Sequence, residues 1–199
     1  MNINRDYMNP SSFIADDGRR LARFGVRINT KIEWIVIHYT GSRRIQGRAA
    51  QIAKSSKGWK SQKSTHYFVG DDGVFQTVED ARRAYHCGPY SDDNKCAACN
   101  NNSIGVDLVE HKHASWSGDV KDCDWYFTAE TLRNGAELVA LLSNKYNIPD
   151  DHIIRHYDIT GKWCPRPFIG DDVNDVTKTT GNYNWVAFRL LVHDLRMIF

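Results

Sequence analysis

The 199-residue chain has little net charge and no long apolar run, and both absences exclude broad classes of protein. Its 26 lysines and arginines stand against 24 aspartates and glutamates, which leaves a formal net charge of +2. No tract is charged enough to predict a nucleic-acid-binding tail, so nucleic acid is not expected as a partner. No apolar run approaches the roughly 18 to 20 residues of a membrane span, so membrane insertion is not expected either.

The amino terminus also lacks the basic stretch and the apolar segment of a signal peptide. We therefore expect the protein to remain in the cytoplasm in which it is made until another event releases it. No internal repeat and no low-complexity linker interrupts the chain. Its length predicts a single domain over residues 1–199, and we expect a monomer.

Cysteine and histidine, in contrast, are plentiful, with five and eight residues respectively. Disulfides seldom persist in the cytosol, so metal binding or free thiols explain the number of cysteines better than a disulfide framework does. The odd number leaves at least one cysteine outside any disulfide pairing. Because histidine and cysteine are preferred zinc ligands, their joint abundance favours a metal site.

Hydrophobic patterning predicts strands alternating with helices after an irregular arm at residues 1–31. Strands are expected at 34–37, in a hairpin over 66–69 and 74–78 around an Asp-Gly turn, at 104–109 and at 153–154. Helices are expected near 47–59, at 128–146 and within 182–199. This order predicts an α/β fold, in which helices flank a central mixed β-sheet.

Three side chains have the chemistry of a zinc site. His38 ends an apolar strand, while His156 and Cys164 lie eight positions apart around a loop that contains glycine. Alone, His38 would more often be a buried core histidine, but the presence of His156 and Cys164 favours a metal ion bound by all three. Catalytic zinc takes three protein ligands and a water, and two histidines with one cysteine form an established set. Asp107 is also unusual, because an acid within an apolar strand is rare unless it is paired, metal-linked or catalytic.

Five short segments resemble, in the same order, the zinc-dependent N-acetylmuramoyl-L-alanine amidases. This family includes phage endolysins of the T7 lysozyme type and shares its fold with peptidoglycan recognition proteins. The resemblance covers roughly residues 32–168 and rests on residues 35–40, 64–69, 84–88, 100–107 and 156–165. The sequence looks most like endolysins of phages or prophages of Gram-positive hosts.

The resemblance implies that three side chains bind one catalytic zinc ion: His38, His156 and Cys164. Lys162 matches the catalytic lysine of the family. Asp107 stands where many members have a glutamate that acts as general base. Other members use a tyrosine at the position of Thr65, which cannot replace it, so Asp107 is the expected base.

The implied substrate is bacterial peptidoglycan, cleaved at the amide between N-acetylmuramic acid and L-alanine. By position in the family motifs, Asn100, His86 and Tyr85 are expected to contact it, the alternative being a loop cap and a surface aromatic pair. The enzyme would act on the cell wall after its release. We expect the catalytic fold to use the whole chain, with no room for a wall-anchoring domain.

The other four cysteines are a separate question: Cys87, Cys96, Cys99 and Cys123. Cys96 and Cys99 have the spacing of a zinc knuckle, so a second, structural zinc is one possibility. Reduced thiols, or disulfides formed after release, are the alternatives.

Two other functions fit the same fold. A recognition protein would bind muropeptides without cutting them, and a cytosolic recycling amidase would cut the same bond in a soluble substrate. The former typically lacks the cysteine ligand and the latter usually has aspartate in its place, so Cys164 argues against both.

Overall fold

The computed structural model describes residues 1–28, 30–42, 45–89, 91–112, 125–169 and 181–198. Its strands are β1 (Ile3–Asn4), β2 (Ser12–Ile14), β3 (Arg20–Ala22), β4 (Phe24–Val26), β5 (Trp34–Tyr39), β6 (Tyr67–Gly70), β7 (Gly73–Gln76), β8 (Arg82–Ala84), β9 (Ser103–Leu108), β10 (His111–Lys112), β11 (Trp125–Tyr126) and β12 (Ile153–Arg155). Its helices are α1 (Ala49–Ser56), α2 (Ala129–Tyr146), α3 (His156–Thr160) and α4 (Gly181–Arg196), with 3₁₀ turns at Asp150–His152 and Arg166–Phe168. Among these, no helix is both long and apolar enough to cross a membrane.

The central element is a six-stranded sheet with the order β1-β7-β6-β9-β5-β12. Four of its neighbouring pairs are parallel, and only the β6–β7 hairpin pair is antiparallel. This confirms the predicted mixed sheet. The predicted strands, the hairpin and the three predicted helices are all present, although α1 is shorter than residues 47–59.

The two faces of the sheet differ in composition. Ile35 and Ile37 of β5 join the large apolar cluster, to which α2 contributes Leu138 and α4 contributes Phe188. Side chains of a strand alternate between faces, so Val36 and His38 point to the other side. There Val36 packs in a smaller cluster with residues of β12 and α3. The apolar face therefore holds most of the core, and the opposite face is left for polar side chains.

The hairpin turn between β6 and β7 contacts the starts of two helices and caps the first of them. The carboxylate of Asp72 accepts hydrogen bonds from the backbone N–H groups of Ala49 (2.7 Å) and Ala50 (3.1 Å) at the start of α1. Asp71 accepts hydrogen bonds from the hydroxyls of Thr128 and Thr131 at the start of α2. The Thr128 hydroxyl in turn accepts from the backbone N–H of Thr131, so Thr128 is the N-cap of α2.

The amino-terminal segment differs from the irregular arm predicted for residues 1–31. It contains four short strands: β1 lies parallel to β7 at the sheet edge, β2 pairs with β3, and β4 pairs with β8. Each is two or three residues long, so no period-2 pattern is visible in the sequence. Two of the four, β1 and β4, pair with partners more than 50 positions away, which local patterning cannot reveal.

Asp80 links the hairpin to the end of α2. Its Oδ1 accepts hydrogen bonds from the Tyr67 hydroxyl (2.5 Å) and Gln76 Nε2 (3.0 Å). Its Oδ2 accepts from Lys145 Nζ (3.0 Å) and the Tyr146 hydroxyl (2.7 Å). Burial opposes ionisation of Asp80, but the hydrogen bonds from Tyr67, Tyr146 and Lys145 outweigh it and keep the pKa of Asp80 below its ordinary value.

We predict that this cluster makes stability depend on pH in the acid range. Because the folded-state pKa of Asp80 lies below the unfolded-state value of 3.8, its stabilisation is complete above about pH 4 and is lost as pH falls further. Asp80→Asn should cost about 1 to 3 kcal/mol of unfolding free energy at pH 7. The gap between wild type and variant should narrow between pH 4 and 2, as measured by urea denaturation. The exposed control Asp92→Asn should leave the unfolding free energy close to that of wild type at every pH. A difference between wild type and Asp80→Asn that is as small as the control's and does not change with pH would contradict this assignment.

Candidate active site

His38, His156 and Cys164 converge at one end of the sheet. Their ligand atoms all lie within 4.8 Å of one another, and all three side chains are buried. His38 Nδ1 is 3.7 Å from Cys164 Sγ. A tetrahedral zinc ion with ordinary bond lengths separates a nitrogen and a sulfur ligand by roughly 3.5 Å. The spacing therefore fits a shared zinc ion.

The topology explains why these distant residues meet. In the β5–β12 pair, Arg155 lies opposite Ile37, so the next residues, His156 at the start of α3 and His38 within β5, lie side by side. Their ring centroids are 4.8 Å apart. α3 is short and ends at Gly161, whose φ of 76° favours glycine and reverses the chain. The backbone N–H of Tyr157 then donates to the carbonyl of Cys164 (2.8 Å), which closes the loop and returns the thiol to the histidines.

The local electrostatics suit metal binding. Burial lowers the pKa of His38 well below its ordinary value and that of His156 to about 4, so both rings are neutral near pH 7. The buried Nδ1 of His156 has no hydrogen-bond partner within the described ranges. Burial also raises the pKa of the Cys164 thiol to about 12. Since a coordinating thiol is deprotonated by the bound metal, this donor set fits zinc.

Asp107 and Lys162 lie beside the three ligand-type side chains. Asp107 is opposite His38 in the β5–β9 pair and points to the same face of the sheet. Burial raises the pKa of Asp107 to about 7, against the effects of the Thr65 hydroxyl and the positive charge of Lys162. The site therefore combines an acid–base group with a cation next to a candidate metal centre.

These residues line a cleft of about 610 Å³. Tyr85, His86 and Asn100, predicted from the sequence to contact substrate, are also among its lining residues. The sequence reasoning missed several others, which include Tyr39, Thr40, Trp59, Lys63, Ser64 and Phe68. Trp59 and Lys63 follow α1 in a segment without regular structure, so no periodic pattern indicated their position.

The comparisons with known proteins bear on this cleft. The family model for N-acetylmuramoyl-L-alanine amidase matches residues 28–167, which contain all the residues of the site named above. The chain belongs to this amidase family.

Relatives of the amidase family occur in Bacillus. A probable N-acetylmuramoyl-L-alanine amidase of Bacillus licheniformis is 35% identical over 118 residues, 56% of this chain and 29% of the relative. The amidase CwlL of the same species is 30% identical, over 70% of this chain and 38% of its own length. CwlA of Bacillus subtilis (strain 168) is 31% identical, over 71% of this chain and 46% of its own. The chain thus matches less than half of each relative.

Solved structures support the fold. The catalytic domain of PlyG aligns with a TM-score of 0.65 at 21% identity, covering 98% of this chain and 96% of that one. The catalytic domain of XlyA aligns with a TM-score of 0.62 at 20% identity, covering 96% and 99% respectively. At this identity the likeness establishes a shared amidase fold.

Asn100 shapes the wall of the amidase cleft. Its Oδ1 accepts hydrogen bonds from the backbone N–H groups of His86 (2.9 Å), Cys87 (2.8 Å) and Gly88 (3.1 Å). The loop-cap alternative therefore has direct geometric support, and any contact of Asn100 with substrate would come in addition to it.

Glu110, which is not among the cleft-lining residues, is a further residue that the sequence reasoning missed. Its buried carboxylate accepts hydrogen bonds from the backbone N–H groups of Thr40 (3.0 Å) and Ser42 (2.7 Å), and so holds the loop that follows β5. Burial raises the pKa of Glu110 to about 7. The available signal was an acid directly after the apolar pair Leu108-Val109.

The remaining cysteines do not assemble like the first site. Cys87, Cys96 and Cys99 are free thiols, and Cys87 packs in the small apolar cluster with Val36. In the part of the chain that the structure describes, the group formed by His38, His156 and Cys164 is the only one placed to hold a metal ion. Cys123 lies outside the described residues, so a structural zinc site that includes it stays a prediction.

We predict that Asn100 contributes to stability through its carbonyl oxygen. Asn100→Ala leaves three backbone N–H groups without their acceptor and should cost about 1 to 3 kcal/mol. Asn100→Asp keeps an oxygen in place and should recover most of that loss in chemical denaturation. Equal stability of wild type and Asn100→Ala would show that the three hydrogen bonds are not needed.

Proposed function

We propose that this chain is a zinc-dependent N-acetylmuramoyl-L-alanine amidase of the endolysin type. Its substrate would be bacterial peptidoglycan, hydrolysed at the amide between N-acetylmuramic acid and L-alanine. The proposal rests chiefly on one observation: His38, His156 and Cys164 come within 4.8 Å of one another beside Asp107, in a chain of this amidase family.

The three buried side chains would hold the metal, with His38 contributing Nδ1 and Cys164 its thiolate. A zinc ion bound there would polarise the scissile carbonyl and lower the pKa of a bound water toward about 7. Two imidazoles and one thiolate would be the three protein ligands that a catalytic zinc ion takes in addition to water.

Asp107 would serve as the general base and then as the acid. Its place opposite His38 puts the carboxylate next to the ligand group, where it can take a proton from water. The proton then goes to the nitrogen of the L-alanine that leaves. Without this transfer, an amine anion would have to depart, which is unfavourable in water.

Lys162 would stabilise the negative charge that develops on the carbonyl oxygen. It lies two residues before Cys164 and lines the same cleft. A fixed positive charge in a partly dehydrated site lowers the energy of an oxyanion by several kcal/mol.

The other cleft residues suit a peptidoglycan fragment. Trp59 and Tyr85 offer aromatic surface against which a sugar ring can pack, and Lys63 adds positive charge for the carboxylates of a stem peptide. A volume of about 610 Å³ accommodates a muropeptide unit rather than a single amino acid. The protein would act on the wall after leaving the cytoplasm.

Mass spectrometry of fragments released from purified cell walls tests this function. New amino termini on L-alanine should appear, and should disappear after treatment with a chelator and return with zinc. Cys164→Ser should release no fragments above background. The matched control Cys96→Ser alters a free, partly exposed cysteine outside the cleft and should keep full activity. The proposal would be contradicted if the fragments were cut at a glycosidic bond, or if Cys164→Ser released as many fragments as wild type.

The roles of Asp107 and Lys162 have their own test. Asp107→Asn should lower kcat by roughly 10²- to 10⁴-fold because the base is lost. Lys162→Met should lower it by about 10²- to 10³-fold. Neither side chain is among the proposed zinc ligands, so both variants should bind one zinc per chain.

The control for this series is Lys54→Met, on the exposed side of α1, which should match wild type. Near-wild-type kcat in Asp107→Asn would assign the base to another group.

A further inference from the structure

The imidazole of His86 contacts the nitrogen of His38 that faces away from Cys164. His38 Nε2 lies 3.0 Å from His86 Nδ1, whereas His38 Nδ1 lies 3.7 Å from Cys164 Sγ. One nitrogen of His38 is therefore engaged by a second histidine and the other faces the candidate metal centre. A hydrogen bond between two neutral imidazoles has a direction, and the direction decides which nitrogen of His38 has a free lone pair.

Ser103 determines that direction. Its hydroxyl donates its only proton to the backbone carbonyl of Cys99, at 2.5 Å. The Ser103 oxygen, 3.2 Å from His86 Nε2, must then accept the hydrogen bond from the His86 ring. His86 therefore presents an N–H to Ser103 from Nε2, and a neutral imidazole has no second proton to place on Nδ1.

It follows that His86 Nδ1 has a lone pair and accepts from His38 Nε2–H. His38 in turn has no proton on Nδ1, the nitrogen that faces Cys164 Sγ. The chain of hydrogen bonds therefore runs from His38 through His86 and Ser103 to the carbonyl of Cys99, each group donating to the next.

We propose that His86 is a positioning residue for the metal centre, which fixes His38 in the tautomer whose Nδ1 can bind zinc. This inference rests on the zinc site proposed above. It differs from the role in substrate binding expected from the sequence. Metal-binding histidines commonly donate their second N–H to a fixed acceptor, and losing that acceptor typically weakens metal binding by about 10- to 100-fold.

The surroundings hold His86 in place for this role. A Cβ atom on Gly105 of β9 would come within 2.7 Å of His86 Cγ, so the ring lies directly on the glycine backbone. The backbone N–H of His86 is bound by Asn100 Oδ1 at 2.9 Å. Ser103 is fully buried. The acceptor therefore has a fixed position before any metal arrives.

Long-range ¹H–¹⁵N correlation NMR of the unmodified, metal-free protein tests the tautomer directly. We expect His38 to carry its proton on Nε2, and added zinc to shift the Nδ1 resonance. A proton on His38 Nδ1, or a zinc-dependent shift at Nε2 instead, would overturn the inference even if every variant failed to fold.

Zinc affinity, measured by competition with a chromophoric chelator, tests the contribution of His86. His86→Leu removes the acceptor and should weaken binding by about 10- to 100-fold. His86→Asn places a carboxamide oxygen near the position of Nδ1 and should recover most of the affinity. The matched control is His152→Leu, since His152 stacks on Trp34 and does not line this cleft; it should bind zinc like wild type.

The outcomes separate this inference from the proposed function. If wild type binds no zinc, the metal site itself falls. If wild type binds zinc and His86→Leu binds it equally well, only the role of His86 is overturned. In that case a raised KM with unchanged zinc affinity would indicate that His86 contacts substrate alone.

Discussion

The parallel pairing of β5 with β9 is the interaction on which the rest of the site depends. Six residue pairs align the two strands, and one of them sets His38 opposite Asp107. Because side chains alternate, this register sends Ile35, Ile37 and Val106 into the main core and both polar residues to the opposite face. A slip of one residue would bury the acid among α2 and α4, so the same apolar contacts that stabilise the sheet also position the chemistry.

Much of this arrangement was predictable from the sequence. The apolar run before His38 indicated a buried strand, and the local spacing of His156 and Cys164 indicated a loop that turns both toward one point. An acid within an apolar strand indicated Asp107, and the family resemblance assigned it the role of base and added Lys162. Both residues do line the same cleft.

The parts of the fold and site that the sequence did not predict depend on long-range contacts that no local pattern encodes. Asp80 meets Tyr146 across 66 positions, and Glu110 meets Thr40 across 70. Two of the four strands at the amino terminus, β1 and β4, form only because distant partners complete them. The sequence left Asn100 between a substrate contact and a loop cap, because a carboxamide that binds a sugar looks the same in sequence as one that binds a turn.

Burying the polar side chains on one face of the sheet costs free energy, and hydrogen bonds to nearby groups offset that cost. His66 is fully buried, and its Nδ1 accepts from the backbone N–H of Gly105 at 3.0 Å, as expected for a core histidine. Glu110 and His86 are likewise held by backbone or hydroxyl groups. In a low-dielectric interior such partners fix the orientation of each polar side chain, because losing one leaves an unsatisfied group. The face that carries the site is therefore rigid although it is not apolar.

Residues 86–89 and 91–103 contact the elements that present both proposed histidine ligands. At one end His86 contacts His38, and at the other Ser103 begins β9. Between them, the backbone N–H of Lys95 donates to the carbonyl of Ile159 in α3 (2.8 Å), the helix that begins with His156. A single stretch of chain thus touches the elements that present two of the three proposed ligands. Since a metal site binds most tightly when its donors are held in place beforehand, this stretch would support metal binding by holding both proposed histidine ligands in position.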